Sequence, residues 1–245
     1  MYHSFTPGGW CAISPATLRW HLELIRDLYE VVPLSRLVTH LANGEPTERE
    51  VALTVDDGYE DFITVAYPIL SELRLPATLF VPTGHIGGRN DWEEPPRACL
   101  RVASAAELGW LDPALVTLGS HSVHHRALRG AAPAALDSEV RQSKMDLEAI
   151  TGIPVTLFSH PFGDRKSFSA ETIRALRAAG FVGAVTSRWG TYSSPRELLA
   201  LPRISFSESD SRDDVRTKLA GDWDWITARQ LTAHAVRSMR WRSTR

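Results

Sequence analysis

The chain has 245 residues, and 43% of them are hydrophobic, which is enough to bury one sizeable core. Its 27 lysines and arginines stand against 29 aspartates and glutamates, so the formal net charge of −2 argues against a surface built for nucleic acid or anionic membranes. The first residues lack the basic and apolar regions of a signal peptide, and no apolar run approaches the ~18 residues of a membrane span. We expect a soluble, cytoplasmic protein without a nucleic-acid partner.

Short apolar and β-branched runs alternate with stretches of helical period, which favours an α/β fold with mainly parallel strands. Residues typical of helix ends fit this pattern: Ser14 and Pro15 begin one predicted helix, and Gly152 and Gly180 follow two others. Seven or eight such units predict one domain over residues 1–245, an α/β barrel of about seven strands, regular or irregular, with a C-terminal helix and basic tail from about residue 225. The predicted strands cover residues 2–5, 31–34, 51–55, 77–81, 115–118, 155–158, 182–186 and 201–206.

One long connection has no clear period: HIGGRNDWEEPPRA, residues 85–98. Loops of this length are uncommon unless they are functional or disordered. Asp91 and Trp92 within it are candidates for lining a substrate cleft, and a solvated insertion is the alternative.

The stretch VALTVDDGYEDF, residues 51–62, begins as a buried strand and turns at once into acidic residues. If the strand is correct, Asp56 and Asp57 lie at the carboxyl end of a barrel strand, where such barrels collect catalytic groups. Asp-Gly is also a common turn dipeptide, so this stretch alone does not separate a catalytic pair from a capped turn.

A second stretch, LVTLGSHSVHHRAL, places His121 and His125 four residues apart. On a helical turn they would share one face and could grip a single metal ion. Two imidazoles and one carboxylate fill three positions of a catalytic zinc site and leave the fourth for water. The sequence therefore predicts a metal site in which one strand-end aspartate is a ligand and its neighbour takes a proton, while His124 points elsewhere.

These motifs resemble those of the polysaccharide deacetylases that share the NodB-homology domain, a family similar to carbohydrate esterase family 4. LTVDDG resembles the first motif of that family, HSVHH the second, and FSHPFGDR the third. The segments YHSF, PATLFVPTG and LPRISF are also similar, so the resemblance spans about residues 2–206. It implies a distorted (β/α) barrel, in agreement with the strand count, and metal-dependent hydrolysis of N-acetyl groups on amino sugars.

The resemblance also implies roles for individual residues. Asp56 takes the place of the catalytic base, and the metal ligands are Asp57, His121 and His125. The backbone N–H of Phe162, in the core of the third motif, would contact the oxyanion. Zinc is the expected metal for these ligands, and cobalt or nickel would fit the same set.

Two departures from the family pattern concern the base and the acid. Ser159 stands where many members carry an arginine two residues before the third-motif proline, so the usual tuning partner of the base is not supplied from that position. The late Leu-x-His motif, source of the general acid, is not evident, and LTAH at residues 231–234 has a different spacing. Some members use a histidine on the first strand instead. We therefore assign the acid to His3, with His234 or a structural role for His3 as alternatives.

The expected activity is metal-dependent removal of N-acetyl groups from an amino sugar or glycan, which yields acetate and a free amine. Alternatives are a glycan-binding barrel with little turnover, suggested by the two departures, and a hydrolase of another small amide. A metallo-phosphodiesterase is weaker because no cluster of Lys or Arg accompanies the motifs to hold a phosphate. No motif indicates which sugar, chain length, pathway or protein partner is involved.

Overall fold

The computed structural model describes residues 1–9, 11–92, 99–191 and 198–223. The helix and basic tail expected from about residue 225, and the alternative acid His234, lie outside these ranges. Within them, no helix is both long and apolar enough to cross a bilayer.

The main sheet has six parallel strands that lie side by side in their order along the chain. A separate parallel pair joins β1 to β2. This sequential parallel order is that of a curled half-barrel, and it agrees with the predicted α/β class, although the main sheet has six strands where about seven were expected. The strands are β1 Glu30–Val31, β2 Glu50–Val51, β3 Leu53–Val55, β4 Ala77–Val81, β5 Val116–Ser120, β6 Leu157–Ser159, β7 Gly183–Trp189 and β8 Leu201–Arg203.

Helices connect the strands, and the predicted capping residues are present at their ends. The Ser14 side chain caps α1 by accepting from the backbone N–H of Thr17, and Gly152 ends α5 in a left-handed conformation. A π-helix, Phe62–Ala66, precedes α3, and a 3-10 turn, Thr83–His85, follows β4. The α-helices are α1 Pro15–Leu28, α2 Leu34–Asn43, α3 Tyr67–Leu73, α4 Ala105–Trp110, α5 Pro133–Thr151, α6 Ala170–Ala178 and α7 Arg212–Leu219.

Strand β4 shows why the sheet is buried in the middle of the molecule. All five of its residues are buried, and Leu79, Phe80 and Val81 have no exposed surface. A parallel strand covered on both faces reads as a continuous apolar run, because neither face meets water. The covered sheet holds the carboxyl ends of its strands at a common edge, and polar residues follow β3, β5 and β6 there.

The predicted strand at residues 51–55 is divided in the structure into β2 and β3, which lie in separate sheets. Two other predicted strands lose most of their length. The first is reduced to a single bridge between Tyr2 and Val55, because the chain then turns toward Asp61. The predicted strand at residues 31–34 ends at Val31, since Pro33 has no N–H to donate to a strand partner and begins the turn into α2.

Candidate metal centre and active site

One carboxylate and two imidazoles meet at the carboxyl edge of the sheet. The Oδ1 atom of Asp57, just after β3, lies 3.5 Å from His121 Nε2 and 3.3 Å from His125 Nε2. The three side chains are buried, and each offers an atom within 4.8 Å of the others. This is the three-ligand set of a catalytic zinc site, so the residues present fit a divalent transition metal.

The ionisation of Asp57 suits a ligand. Burial favours its neutral form, but the hydrogen bonds with His121 and His125 outweigh burial and hold the pKa of Asp57 well below its usual value. The carboxylate is therefore charged at neutral pH.

The loop that carries the two histidines is not helical, so the predicted helical turn is wrong. Ser122 and His125 adopt left-handed conformations with φ of 62° and 51°, and the Ser122 hydroxyl accepts from the His125 N–H. Glu139 of α5 accepts two further backbone N–H groups of the loop and binds His124 Nδ1 at 2.7 Å. The loop folds back on itself, which brings His121 and His125 together and turns His124 away.

The His121 ring is oriented by a hydrogen bond. Its Nδ1 lies 2.7 Å from the Ser159 carbonyl oxygen, which can only accept, so Nδ1 carries the proton. Nε2, which faces Asp57, is then the atom left to bind a metal once it has lost its proton. Metal-ligating histidines are commonly oriented in this way.

Aromatic rings surround His125. Its Nδ1 is buried and has no hydrogen-bond partner among the described residues. The Trp92 ring lies 4.7 Å from the imidazole, and the Phe162 ring lies 4.9 Å from it, edge to face. Trp92, a candidate cleft residue in the sequence, thus packs against the candidate metal centre, whereas Asp91 is exposed.

The Asp56 side chain makes its own polar contacts, which do not involve the three-residue cluster. Arg203 of β8 donates from Nη1 to Oδ1 at 2.8 Å and from Nη2 to Oδ2 at 2.6 Å, and Ser159 Oγ lies 3.3 Å from Oδ2. Burial would raise the pKa of this carboxyl, but the guanidinium outweighs burial and lowers the pKa of Asp56 to about 2. Asp56 is therefore ionised at neutral pH.

Sequence reasoning missed Arg203 as a functional residue. The arginine expected by analogy before the third motif is indeed replaced by Ser159, but β8 supplies a guanidinium that binds Asp56 and lies 3.3 Å from the Ser159 hydroxyl. The available signal was an arginine inside the apolar segment LPRISF, because buried arginines are rare unless they are paired.

His3 lies beside Asp56. Its Nε2 is 4.0 Å from Asp56 Oδ2, and its side chain is 15% exposed. Burial lowers the pKa of His3, with Asp57 and Asp56 acting in the opposite direction. The neighbouring backbone is fixed, since Tyr2 N–H donates to the Thr54 carbonyl.

Phe162 lies in a tight turn after β6. Its φ is 61°, its side chain is 53% exposed, and its carbonyl accepts from the Ser187 hydroxyl. At Gly163, also at φ 61°, a Cβ would lie 2.3 Å from the Ser187 nitrogen, so only glycine fits. This turn places the Phe162 ring against His125.

Left-handed backbone conformations gather around the site. Of the six described non-glycine residues with positive φ, four surround the candidate metal centre: Asp57, Ser122, His125 and Phe162. Such conformations cost energy and persist where the surrounding structure imposes them, often at functional sites.

A family model for polysaccharide deacetylase matches residues 43–184, more than half of the chain. The chain belongs to the polysaccharide deacetylase family. Among curated proteins, YxkH of Bacillus subtilis, named as a polysaccharide deacetylase, is 26% identical over 209 residues, which cover 84% of this chain and 70% of that protein.

Solved structures confirm the expected fold class. The Streptococcus pyogenes deacetylase PplD, solved in complex with acetate, is 23% identical with a TM-score of 0.76, covering 89% of this chain and 96% of that one. IcaB from Ammonifex degensii is 20% identical with a TM-score of 0.77, covering 89% and 94%. At these identities the likeness establishes the fold.

Proposed function

We propose that the chain is a metal-dependent hydrolase that removes N-acetyl groups from an amino sugar or glycan. The observation that carries this proposal is an ionised Asp56 lying next to the cluster of Asp57, His121 and His125. Family membership supports the substrate class, and PplD is a deacetylase by name.

Asp57, His121 and His125 would hold the metal. Zinc suits a mixed imidazole and carboxylate set, and cobalt or nickel fits the same ligands. When bound, such an ion acidifies a water molecule and polarises the acetamide carbonyl. The hydrogen bond from His121 Nδ1 to the Ser159 carbonyl orients the ring so that Nε2 is the atom aimed at the cluster.

Asp56 serves as the general base and accepts a proton from the attacking water. Its pairing with Arg203 keeps it ionised at neutral pH and fixes its position, while making it a weaker base than an unpaired carboxylate. The Phe162 N–H donates to the oxyanion that forms from the acetyl carbonyl oxygen. A preformed donor of this kind is worth about 3 kcal/mol.

His3 serves as the general acid. Water oxygen bonds to the acetyl carbon, the carbon–nitrogen bond breaks, and the departing nitrogen takes a proton from the imidazole, so the products are acetate and a free amine. The 4.0 Å separation of His3 and Asp56 supports this division, because the group that donates a proton stands beside the group that accepts one.

A glycan-binding barrel with little turnover is the second candidate. Two departures from the family pattern suggest this candidate. The first, Ser159 in place of an arginine, now carries less weight, because Asp56 has an arginine partner in Arg203. The other is the absence of the family's late histidine motif, and His234 lies outside the described residues.

The test offers the zinc-loaded protein a panel of N-acetylated amino sugars and glycans together with a generic phosphodiester. We expect acetate and free amine in equal amounts from at least one N-acetylated compound. Glycan binding without acetate release would favour the binding barrel, and cleavage of the phosphodiester alone would favour a phosphodiesterase.

A further inference from the structure

The acidic stretch after β3 contains a third aspartate, Asp61, which lies outside the metal cluster. It is 7% exposed and precedes the π-helix. Its Oδ2 accepts three hydrogen bonds, from Ser4 Oγ at 2.7 Å, from the Phe5 N–H at 2.7 Å and from the Thr6 N–H at 3.0 Å. One carboxylate oxygen therefore fixes the turn that directly follows His3.

The residue before His3 is fixed as well. The Tyr2 N–H donates to the Thr54 carbonyl at 3.0 Å, and the Tyr2 carbonyl accepts from the Asp56 N–H at 3.1 Å. The backbone is thus held on both sides of His3, by β3 before it and by Asp61 after it. This arrangement determines where the His3 imidazole lies relative to Asp56.

We propose that Asp61 is a positioning residue for the general acid. It holds the 4–6 turn so that the His3 imidazole stays beside Asp56 and within reach of the leaving nitrogen. The inference rests on the proposed acid role of His3. A displacement of about 1 Å in a reacting group can cost on the order of 10²-fold in rate, so the anchor of an acid affects turnover without touching substrate.

The contacts of Asp61 explain why this position carries a carboxylate. Charged acceptors make the stronger hydrogen bonds, and here three donors converge on one oxygen. The other oxygen, Oδ1, is buried and has no hydrogen-bond partner among the described residues. An asparagine would keep the acceptor oxygen and lose the charge, whereas an alanine would leave all three donors unpaired.

The first test compares turnover of an N-acetylated sugar with turnover of an activated acetyl ester. Asp61→Ala should lower kcat on the amide by about 10-fold to 100-fold, and it should leave metal content and ester turnover near the parent values. Asp61→Asn should recover most of the amide activity. Asp214→Ala, which removes the carboxylate half of the α7 capping box away from the site, is the control for general destabilisation and should show no selective amide loss.

Ser4→Ala keeps the test decisive if Asp61→Ala does not fold. It removes one of the three donors and leaves the two backbone N–H groups on Asp61. We expect a smaller amide-selective loss. Equal loss on amide and ester in the folded variants would overturn the inference, as would unchanged amide turnover in all of them.

A double-mutant cycle separates this inference from the proposed function. In a His3→Ala background, Asp61→Ala should add little to the amide loss, because the acid is already gone, and additive losses would overturn the positioning role. If His3→Ala alone shows no amide-selective loss, the acid assignment itself fails. Hydrogen exchange at the Phe5 and Thr6 amides is independent of catalysis, and it should speed up in Asp61→Ala if the anchor operates.

Discussion

Arg203 and Asp56 form a buried bidentate ion pair across 147 positions of the sequence, with nitrogen–oxygen distances of 2.8 and 2.6 Å. The pair joins the first and last strands of the six-stranded sheet. Planar guanidinium–carboxylate pairs fix both distance and orientation, so the proposed base has one position and one charge state at neutral pH.

Replacing Arg203 should shift the pH dependence of catalysis. Without the guanidinium, burial raises the pKa of Asp56 from about 2, so the base becomes protonated at higher pH and the acidic limb of the kcat/KM profile moves upward. Arg203→Met should show this shift, and Arg203→Lys a smaller one because lysine keeps the charge without the bidentate geometry. An unmoved acidic limb in Arg203→Met would show that Arg203 does not control the base.

The same pair should contribute to stability. Breaking a buried pair costs about 3–5 kcal/mol, so Arg203→Met should lower the free energy of unfolding at neutral pH. Because the pKa of Asp56 is depressed in the folded state, the parent holds this contribution above the unfolded value of 3.8 and loses it as the pH falls through about 2. Denaturant unfolding at pH 7 and at low pH measures the difference, and an equal difference at both would contradict the linkage.

The two adjacent aspartates should fail in different ways. Asp57→Asn removes a proposed ligand, so metal and activity should be lost together. Asp56→Asn should keep the metal yet lose on the order of 10² to 10⁴ in turnover, the usual worth of a positioned general base. Elemental analysis and kinetics on the same samples make the comparison. Equal metal loss in both variants would show that the ligand and base roles are wrongly assigned.

Metal binding should be stoichiometric and should depend on both imidazoles. We expect one divalent ion per chain, with strong loss of binding in His121→Ala and His125→Ala. Affinity should fall as the pH is lowered, because the ligating imidazoles must be unprotonated. His124→Ala serves as the matched control, since His124 binds Glu139 instead of the cluster. Full loading of His125→Ala with zinc would contradict the assignment of His125 as a metal ligand.

The proposed acid role of His3 should make the effect of His3→Ala on turnover depend on the leaving group of the substrate. His3→Ala should keep the metal and lose most amide turnover, because an amine leaves poorly without a proton, while an activated ester should be hydrolysed nearly as fast as by the parent. His234→Ala should affect neither reaction. A selective amide loss in His234→Ala would move the acid to that residue, and equal losses on both substrates in His3→Ala would indicate a structural role.

Much of the fold and the membership of the cluster could be predicted from the sequence. Apolar runs such as β4 are local signals, and the acidic and histidine motifs each follow such a run. Strand ends of a parallel sheet share one edge, which is why the sequence predicts one of the two aspartates beside His121 and His125, and the family resemblance implies that it is Asp57.

The missed features depend on the backbone and on distant pairing. The left-handed conformations of Ser122 and His125 have no signal in residue type, so their segment was assigned a helical turn. The partner of Asp56 could not be found by spacing, because Arg203 reaches it only once the sheet has curled. Likewise, the anchoring of the 4–6 turn by Asp61 spans more than fifty positions.

The central claim is that this centre hydrolyses N-acetyl groups with Asp56 as base. The most direct measurement is acetate released from N-acetylated glycan oligomers by parent protein and Asp56→Asn at matched zinc content. The account predicts acetate and free amine in equal amounts from the parent, loss of activity on chelation with recovery on added zinc, and release lower by about 10² to 10⁴ in the variant. Acetate release by Asp56→Asn equal to that of the parent, or none from fully loaded parent on any N-acetylated substrate, would contradict it.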